Sequence, residues 1–384
     1  DWLYRFGNYG SEPTPLALGE NKLFSSHECG RLTLDLNKGA ILGNGETAIQ
    51  TFCGKDMDPS HIIIENVGAI SIGGIDTHGE YAKSNRDAHA GDIRIGTSEN
   101  RAGPMRIAYL HAYATGTMAD SGAIALYGSG DVIIGTSDKP GEIRTDNTKW
   151  KSADIIIDHF GNFVVGAIRT HVKGWRNDPQ PGRVLLNGND SSGDAKIGRI
   201  IAWRSRRGGG LGEPRAAFSM SNYRHVVIGE IDCSCKEKGR RPVSDLNINK
   251  GITGNITLTG SLNLGMKHTE DWYTGEYMGA ARLACKGTVT LASLDLKKVR
   301  FVAMNSGSGA SVIKGEIANF NTAEATGAGT ANDPRKSKET RLRAPAGQTV
   351  RYGYKAGELN DALGGHVWQL KAEDGKNAGG LLAP

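Results

Sequence analysis

The residues best equipped for chemistry in this chain are basic and aromatic, and they come in clusters. One cluster holds Arg169, His171, Lys173, Trp175 and Arg176; the next holds Trp203, Arg204, Arg206 and Arg207. A third holds Lys236, Lys238, Arg240 and Arg241, and a fourth Lys267, His268, Trp272, Tyr273 and Tyr277. Guanidinium groups bind carboxylates or sulfates through two parallel hydrogen bonds, and aromatic faces stack on sugar rings. Trp175, Arg176, Trp203, Arg206, Arg207, Lys236, Lys238, Arg240, Trp272 and Tyr273 are therefore the expected contacts to an acidic polysaccharide. For an eliminating enzyme, one cation would neutralise a uronate carboxylate while a second basic group takes the proton from the adjacent carbon. Arg169, His171, Lys173 and Arg204 form the nearest such set. The plainer reading is a row of solubilising loops whose aromatics pack locally as anchors.

Other chemistries find less support. Glycoside hydrolysis needs two carboxylates roughly 5–9 Å apart. Asp76, Asp146 and Asp232 occupy corresponding loops but non-adjacent repeats. Glu230 and Asp232 lie about 7 Å apart by strand rise, which is also the ordinary outward face of a strand. The chain carries no dinucleotide or Walker loop, no zinc-protease helix motif and no nucleophile elbow. Asp56-Met-Asp58 and Asp87-Ala-His89 lack EF-hand spacing, so no cofactor is expected and no motif supports calcium. Of the five cysteines, Cys233-Ser-Cys235 lacks the C-x-x-C spacing of a metal site. Cys29 and Cys53 flank the first repeat and are candidates for a disulfide that staples that end.

The clusters owe their spacing to a repeat. Short alternating apolar segments begin at Leu32, Ile62, Ile93, Ile124, Ile155, Val184, Phe218 and Leu246, at steps averaging close to 31 residues. Later copies begin at Leu283 and Val302. Each is followed, after a corner rich in Gly and Asn, by a second segment. Four of these read Ile72-Gly-Gly-Ile75, Val165-Gly-Ala-Ile168, Ile197-Gly-Arg-Ile200 and Ile228-Gly-Glu-Ile231. Alternation with period two sends every other side chain to one face. A single repeat cannot bury that face alone, but stacked repeats can. The period predicts an all-β parallel β-helix of about ten coils, with two regular strands, a shorter third and one variable loop per coil. Coils stack about 4.8 Å apart, so loops 31 residues apart become neighbours and the clusters line one face.

Composition agrees. The 54 glycines lack a three-residue period, which excludes collagen, and only 12 prolines argue against a disordered chain. The charge of +5, from 46 basic and 41 acidic residues, gives no reason to expect nucleic acid. No apolar run reaches a membrane-spanning length. Residues 1–30 are expected to cap the β-helix, 31–320 to form it, 321–343 to link, and 344–384 to make a small β-hairpin cap or assembly segment. The opening Asp1-Trp2-Leu3 reads as a mature secreted chain whose signal peptide has been removed, hence extracellular or at the cell surface.

The repeated I-G-x-I segments resemble those of the pectate-lyase-like right-handed parallel β-helix proteins secreted by bacteria. The segments Leu363-Gly-Gly-His-Val-Trp-Gln-Leu370 and Gly379-Gly-Leu-Leu-Ala-Pro384 are similar to the ends of large planctomycete and verrucomicrobial surface proteins. The resemblance implies the fold but spans lyases, hydrolases, adhesins and passive fibres, so fold alone does not give function. The regular coils and undistinguished chemistry lead to the expectation of a structural protein. It would self-associate through its terminal segments into a filament, sheath or surface layer, and could contact acidic glycans. The alternative expectation is a polysaccharide lyase acting on a uronate polymer.

Overall fold

The computed structural model describes residues 2–5, 15–18, 24–26, 31–43, 47–51, 60–80, 89–115, 120–136, 139–148, 152–173, 181–203, 218–235, 245–265, 279–315, 317–319, 335–336, 342–345, 348–352, 368–371 and 377–383. The chain is all-β and forms a parallel β-solenoid, as the repeat predicts. It divides into two compact units, Asp1–Leu211 and Gly212–Pro384. Among the described residues no helix is long and apolar enough to cross a membrane.

In the first unit each coil contributes to three parallel sheets. The first sheet stacks Leu32, Ile62, Ile93, Ile124, Ile155 and Val184 in register. The second stacks Ile41, Ile70, Met105, Val132, Phe163 and Ala195. The third stacks Ile49, Ile75, Leu110, Ile143, Ile168 and Ile200. All these side chains are buried, so three apolar columns fill the interior. Each buried Leu or Ile contributes roughly 1.5–3 kcal/mol relative to exposure, and only stacking provides that burial. The I-G-x-I segment is the corner between the second and third sheets, with both apolar residues facing inward.

Residues at the corners follow the backbone they must adopt. Asn37, Asn66, Asn189, Gly161 and Gly251 have positive φ, a region that Asn and Gly enter at least cost. Side chains also bridge successive coils. Asp92 accepts from the backbone N–H of Ala123 at 2.7 Å, Asp131 from that of Asn162 at 2.7 Å and Asp154 from that of Arg183 at 2.8 Å.

The regular solenoid runs for about six turns rather than ten, and segments near both ends add paired strands beyond it. Trp2–Arg5, Leu16–Leu18 and Phe24–Ser26 pair in parallel with the three strands of the following coil. In the second unit Leu246, Ala281, Val302 and Leu342 stack in one parallel sheet, and Ile228, Leu258, Leu291 and Ile313 in another. There Leu283 pairs with Met304 rather than opposite Val302. Thr349–Tyr352 and Asn377–Ala383 continue the parallel pairing, and Trp368–Lys371 runs antiparallel to Asn377–Ala383.

Candidate functional site

The residues after each I-G-x-I corner continue the third sheet as strand ends, and this is where the polar side chains gather. Asp76, His111, Arg144 and Arg169 are register partners on four successive coils, followed by Ile201. Two residues further on, His78, Tyr113, Asp146, His171 and Trp203 form a second column. Its register is held by Gly79 N–H to Tyr113 O, Ala114 N–H to Asp146 O, Asn147 N–H to His171 O and Val172 N–H to Trp203 O. Two residues before the first column stand Tyr109 and Glu142. Between the columns, Thr77, Ala112, Thr145, Thr170 and Ala202 turn inward and are buried. Period-two alternation thus presents three parallel polar columns on one face.

The columns are tied together by charge. Asp76 accepts from the backbone N–H of His78 at 2.9 Å and lies 2.6 Å from His78 Nδ1 and 4.0 Å from His111 Nδ1. Glu142 Oε2 accepts from Arg169 Nε at 2.9 Å, and its Oε1 lies 3.2 Å from His111 Nε2 and 3.8 Å from Arg144 Nη1. His111 and then the guanidiniums of Arg144 and Arg169 outweigh partial burial and bring the Glu142 carboxyl down to about 2. Arg144 grips Asp146 with both forks, Nε to Oδ1 at 2.8 Å and Nη2 to Oδ2 at 3.0 Å. That grip outweighs burial and makes Arg144 hold its proton more firmly.

Aromatic rings fill the spaces between charges. The His78 and Tyr113 rings stack at 5.0 Å with 6° between planes, and the Arg144 guanidinium lies 4.0 Å above the Tyr113 ring. The His111 ring packs 4.3 Å from that of Tyr109. His171 stacks on Trp203 at 4.5 Å, and its Nε2 lies 3.9 Å from Asp146 Oδ2. Only 9% of His171 is exposed, and its Nδ1 is buried without a hydrogen-bond partner among the described residues. Burial, reinforced by Lys173, Arg169 and Arg144, pushes the imidazole down to about 4 despite Asp146, so it is neutral at neutral pH.

Four of the expected site residues fall within or beside this ladder. Arg169 and His171 stand in its two main columns, Trp203 covers His171, and Lys173 follows as an exposed residue whose N–H bonds to Asn147 O at 3.1 Å. Arg204, Trp175, Arg176, Arg206, Arg207, Lys236, Lys238, Arg240, Trp272 and Tyr273 lie outside the described residues, as do Cys29 and Cys53. In the second unit Asp232 accepts from the Ser234 N–H at 3.2 Å and hydroxyl at 2.5 Å. Burial pushes the neighbouring Cys233 thiol up to about 12, which makes it unreactive. Sequence reasoning missed Tyr109, His111, Tyr113 and Glu142. Their coils lack the four-residue Ile-Gly-x-Ile corner: Ile107-Ala-Tyr-Leu110 keeps the apolar spacing without the glycine, and Gly135–Gly141 lengthens the step from Ile134 to Ile143.

Among the described residues no group of three or more His, Cys, Asp or Glu is arranged to hold a metal ion. Comparison of the chain with family models, curated proteins and solved structures finds no match.

Proposed function

We propose that this chain is a structural β-solenoid that binds a polysaccharide along the third-sheet ladder of its first unit. The observation that carries this reading is the alignment of Tyr109, His111, Tyr113, Arg144, Arg169 and Trp203 on successive coils of one face. The part-exposed Tyr109 and Trp203 rings offer apolar surface for the C–H faces of sugars, the Tyr113 ring held between His78 and Arg144 offers its edge, and the ion-paired groups offer donors and acceptors for hydroxyls. Asp76, Glu142, Asp146, Arg144 and Arg169 are each already positioned by a neighbour, so binding would order little there and lose little entropy. A polymer lying along the stacking direction would meet a new set of these groups about every 4.8 Å. This reading implies action outside the cell or at its surface, in keeping with the expectation from the sequence.

Binding is proposed in preference to elimination because His171, the neutral base that a lyase would need, is enclosed beneath Trp203. The test is affinity electrophoresis of the intact chain in gels containing different soluble polysaccharides. Retardation by at least one polymer, weakened in Trp203→Ala, supports the reading. Unaltered migration in every gel sinks it.

A second reading, self-association into a filament or layer, is favoured by the Trp2–Arg5 strand. This strand is the first of the first sheet among the described residues, it pairs in parallel with Arg31–Asp35, and its Leu3 is 55% exposed. Such edges recruit further strands. Sedimentation of the wild type against Leu3→Lys tests it: identical monomeric profiles would contradict self-association through this strand.

A further inference from the structure

The ladder's charges are satisfied from within, and this bears on what it can bind. Asp76, Glu142 and Asp146 each lie within 4.0 Å of a guanidinium or imidazole nitrogen. Arg144 has its fork filled by Asp146, and Arg169 spends its Nε on Glu142. These pairs are part-buried: the side chains are 27% exposed for Arg144, 33% for Arg169, 29% for Glu142 and 9% for Asp146.

We infer that the ladder selects an uncharged glycan, read through its hydroxyls, and rejects a polyanion. The inference rests on the glycan-binding reading of the same face and names its ligand class. A uronate carboxylate reaching Arg144 or Arg169 would have to compete with Asp146 or Glu142 for the same donors. It would also approach the like charges of Asp76, Glu142 and Asp146 in a site of reduced dielectric, where such juxtaposition is repulsive. A hydroxyl meets no such barrier. It donates to a carboxylate oxygen and accepts from a guanidinium N–H without displacing either. Trp203, part-exposed over His171, supplies apolar surface that suits a neutral sugar ring. Recognition by guanidinium forks, expected from the sequence, would require forks that the neighbouring coils leave open; the two forks of this ladder are occupied or partly occupied.

The experiment uses the intact chain and four soluble probes: an uncharged glucan, an uncharged mannan, polygalacturonate and alginate. Binding to at least one uncharged polymer is expected to exceed binding to either polyuronate by at least about tenfold, and to change little with added salt. Glu142→Gln removes the carboxylate that competes for Arg169. It is expected to gain polyuronate binding that fades as salt rises, with unchanged circular dichroism verifying the fold. Stronger wild-type binding to a polyuronate, lost in high salt, would overturn the inference while leaving glycan binding standing. Wild-type binding to none of the four would overturn both. The wild-type comparison decides the matter even if Glu142→Gln does not fold.

Discussion

Glu142 on one coil accepts a 2.9 Å hydrogen bond from Arg169 Nε on the next, and this pair links two of the three polar columns. Its carboxyl falls from an ordinary 4.5 to about 2 in the folded chain. A depressed carboxyl contributes stability above its unfolded pKa and loses it as pH drops through the folded one. The contribution is therefore full above about pH 4.5 and gone near pH 2. Glu142→Gln should flatten the acid limb of a melting-temperature profile within that window and leave the profile near neutrality parallel to the wild type. An unchanged acid limb would mean that the pair does not stabilise the fold.

His171 gives a slope at higher pH. Its pKa falls from 6.5 to about 4 on folding, so the unfolded chain takes up a proton first. Stability should be greatest above about pH 6.5 and decline as pH falls towards 4, by about 3 kcal/mol at most. His171→Gln should remove that decline. Urea titrations of both proteins at several pH values would show it, and equal slopes would contradict the enclosed, neutral imidazole.

Two glycines of the stack separate backbone clash from side-chain clash. A Cβ at Gly122 would lie 1.9 Å from the carbonyl oxygen of Gly91 on the preceding coil. That oxygen belongs to the backbone and cannot turn aside. A Cβ at Gly74 would meet the Tyr109 ring first, at 2.0 Å for its nearest atom, and that ring can swing out. Gly122→Ala should cost about 3 kcal/mol or more, and Gly74→Ala about 1 kcal/mol. Gly74→Ala should also release Tyr109 from its hydroxyl contact with Thr47. Chemical denaturation ranks the two, and a larger loss for Gly74→Ala would contradict the packing described.

The apolar columns were legible in the sequence because one physical demand, burial on the inward face, recurs in every coil at Leu32, Ile62, Ile93 and their partners. The third sheet was harder to see. Its continuation past the strand ends at Asp76 and Arg169 reads as loop because the outward residues are polar and the next inward positions, Thr77 and Thr170, are not apolar. His111 and Glu142 escaped notice for separate reasons. Ala108 replaces the corner glycine before His111, and the segment Gly135–Gly141 separates Ile134 from Ile143. The basic clusters were visible as composition, but occupation of Arg144 and Arg169 by carboxylates on their own or the preceding coil follows from register, which composition does not carry.

Removing the stacked rings should affect binding more than folding. Trp203 is partly exposed and rests on His171, and Tyr113 lies between His78 and Arg144. Trp203→Ala and Tyr113→Ala should each weaken glycan retention about tenfold, in line with an aromatic contact of 1–2 kcal/mol. Ile168→Ala, in the buried column beneath, should instead cost about 2–5 kcal/mol of stability. Retention measured below the melting temperature of all three variants distinguishes the two effects. Full retention by both ring variants would move the contact surface elsewhere.

Hydroxyl-radical footprinting of the intact chain, with and without the polymer that retards it most, tests the central claim most directly. The account predicts that oxidation of Tyr109, Tyr113 and Trp203 falls when the polymer is bound, while Tyr4, which stands on the first sheet, oxidises as before. Unchanged oxidation of the three ladder residues, with protection appearing elsewhere, would contradict it.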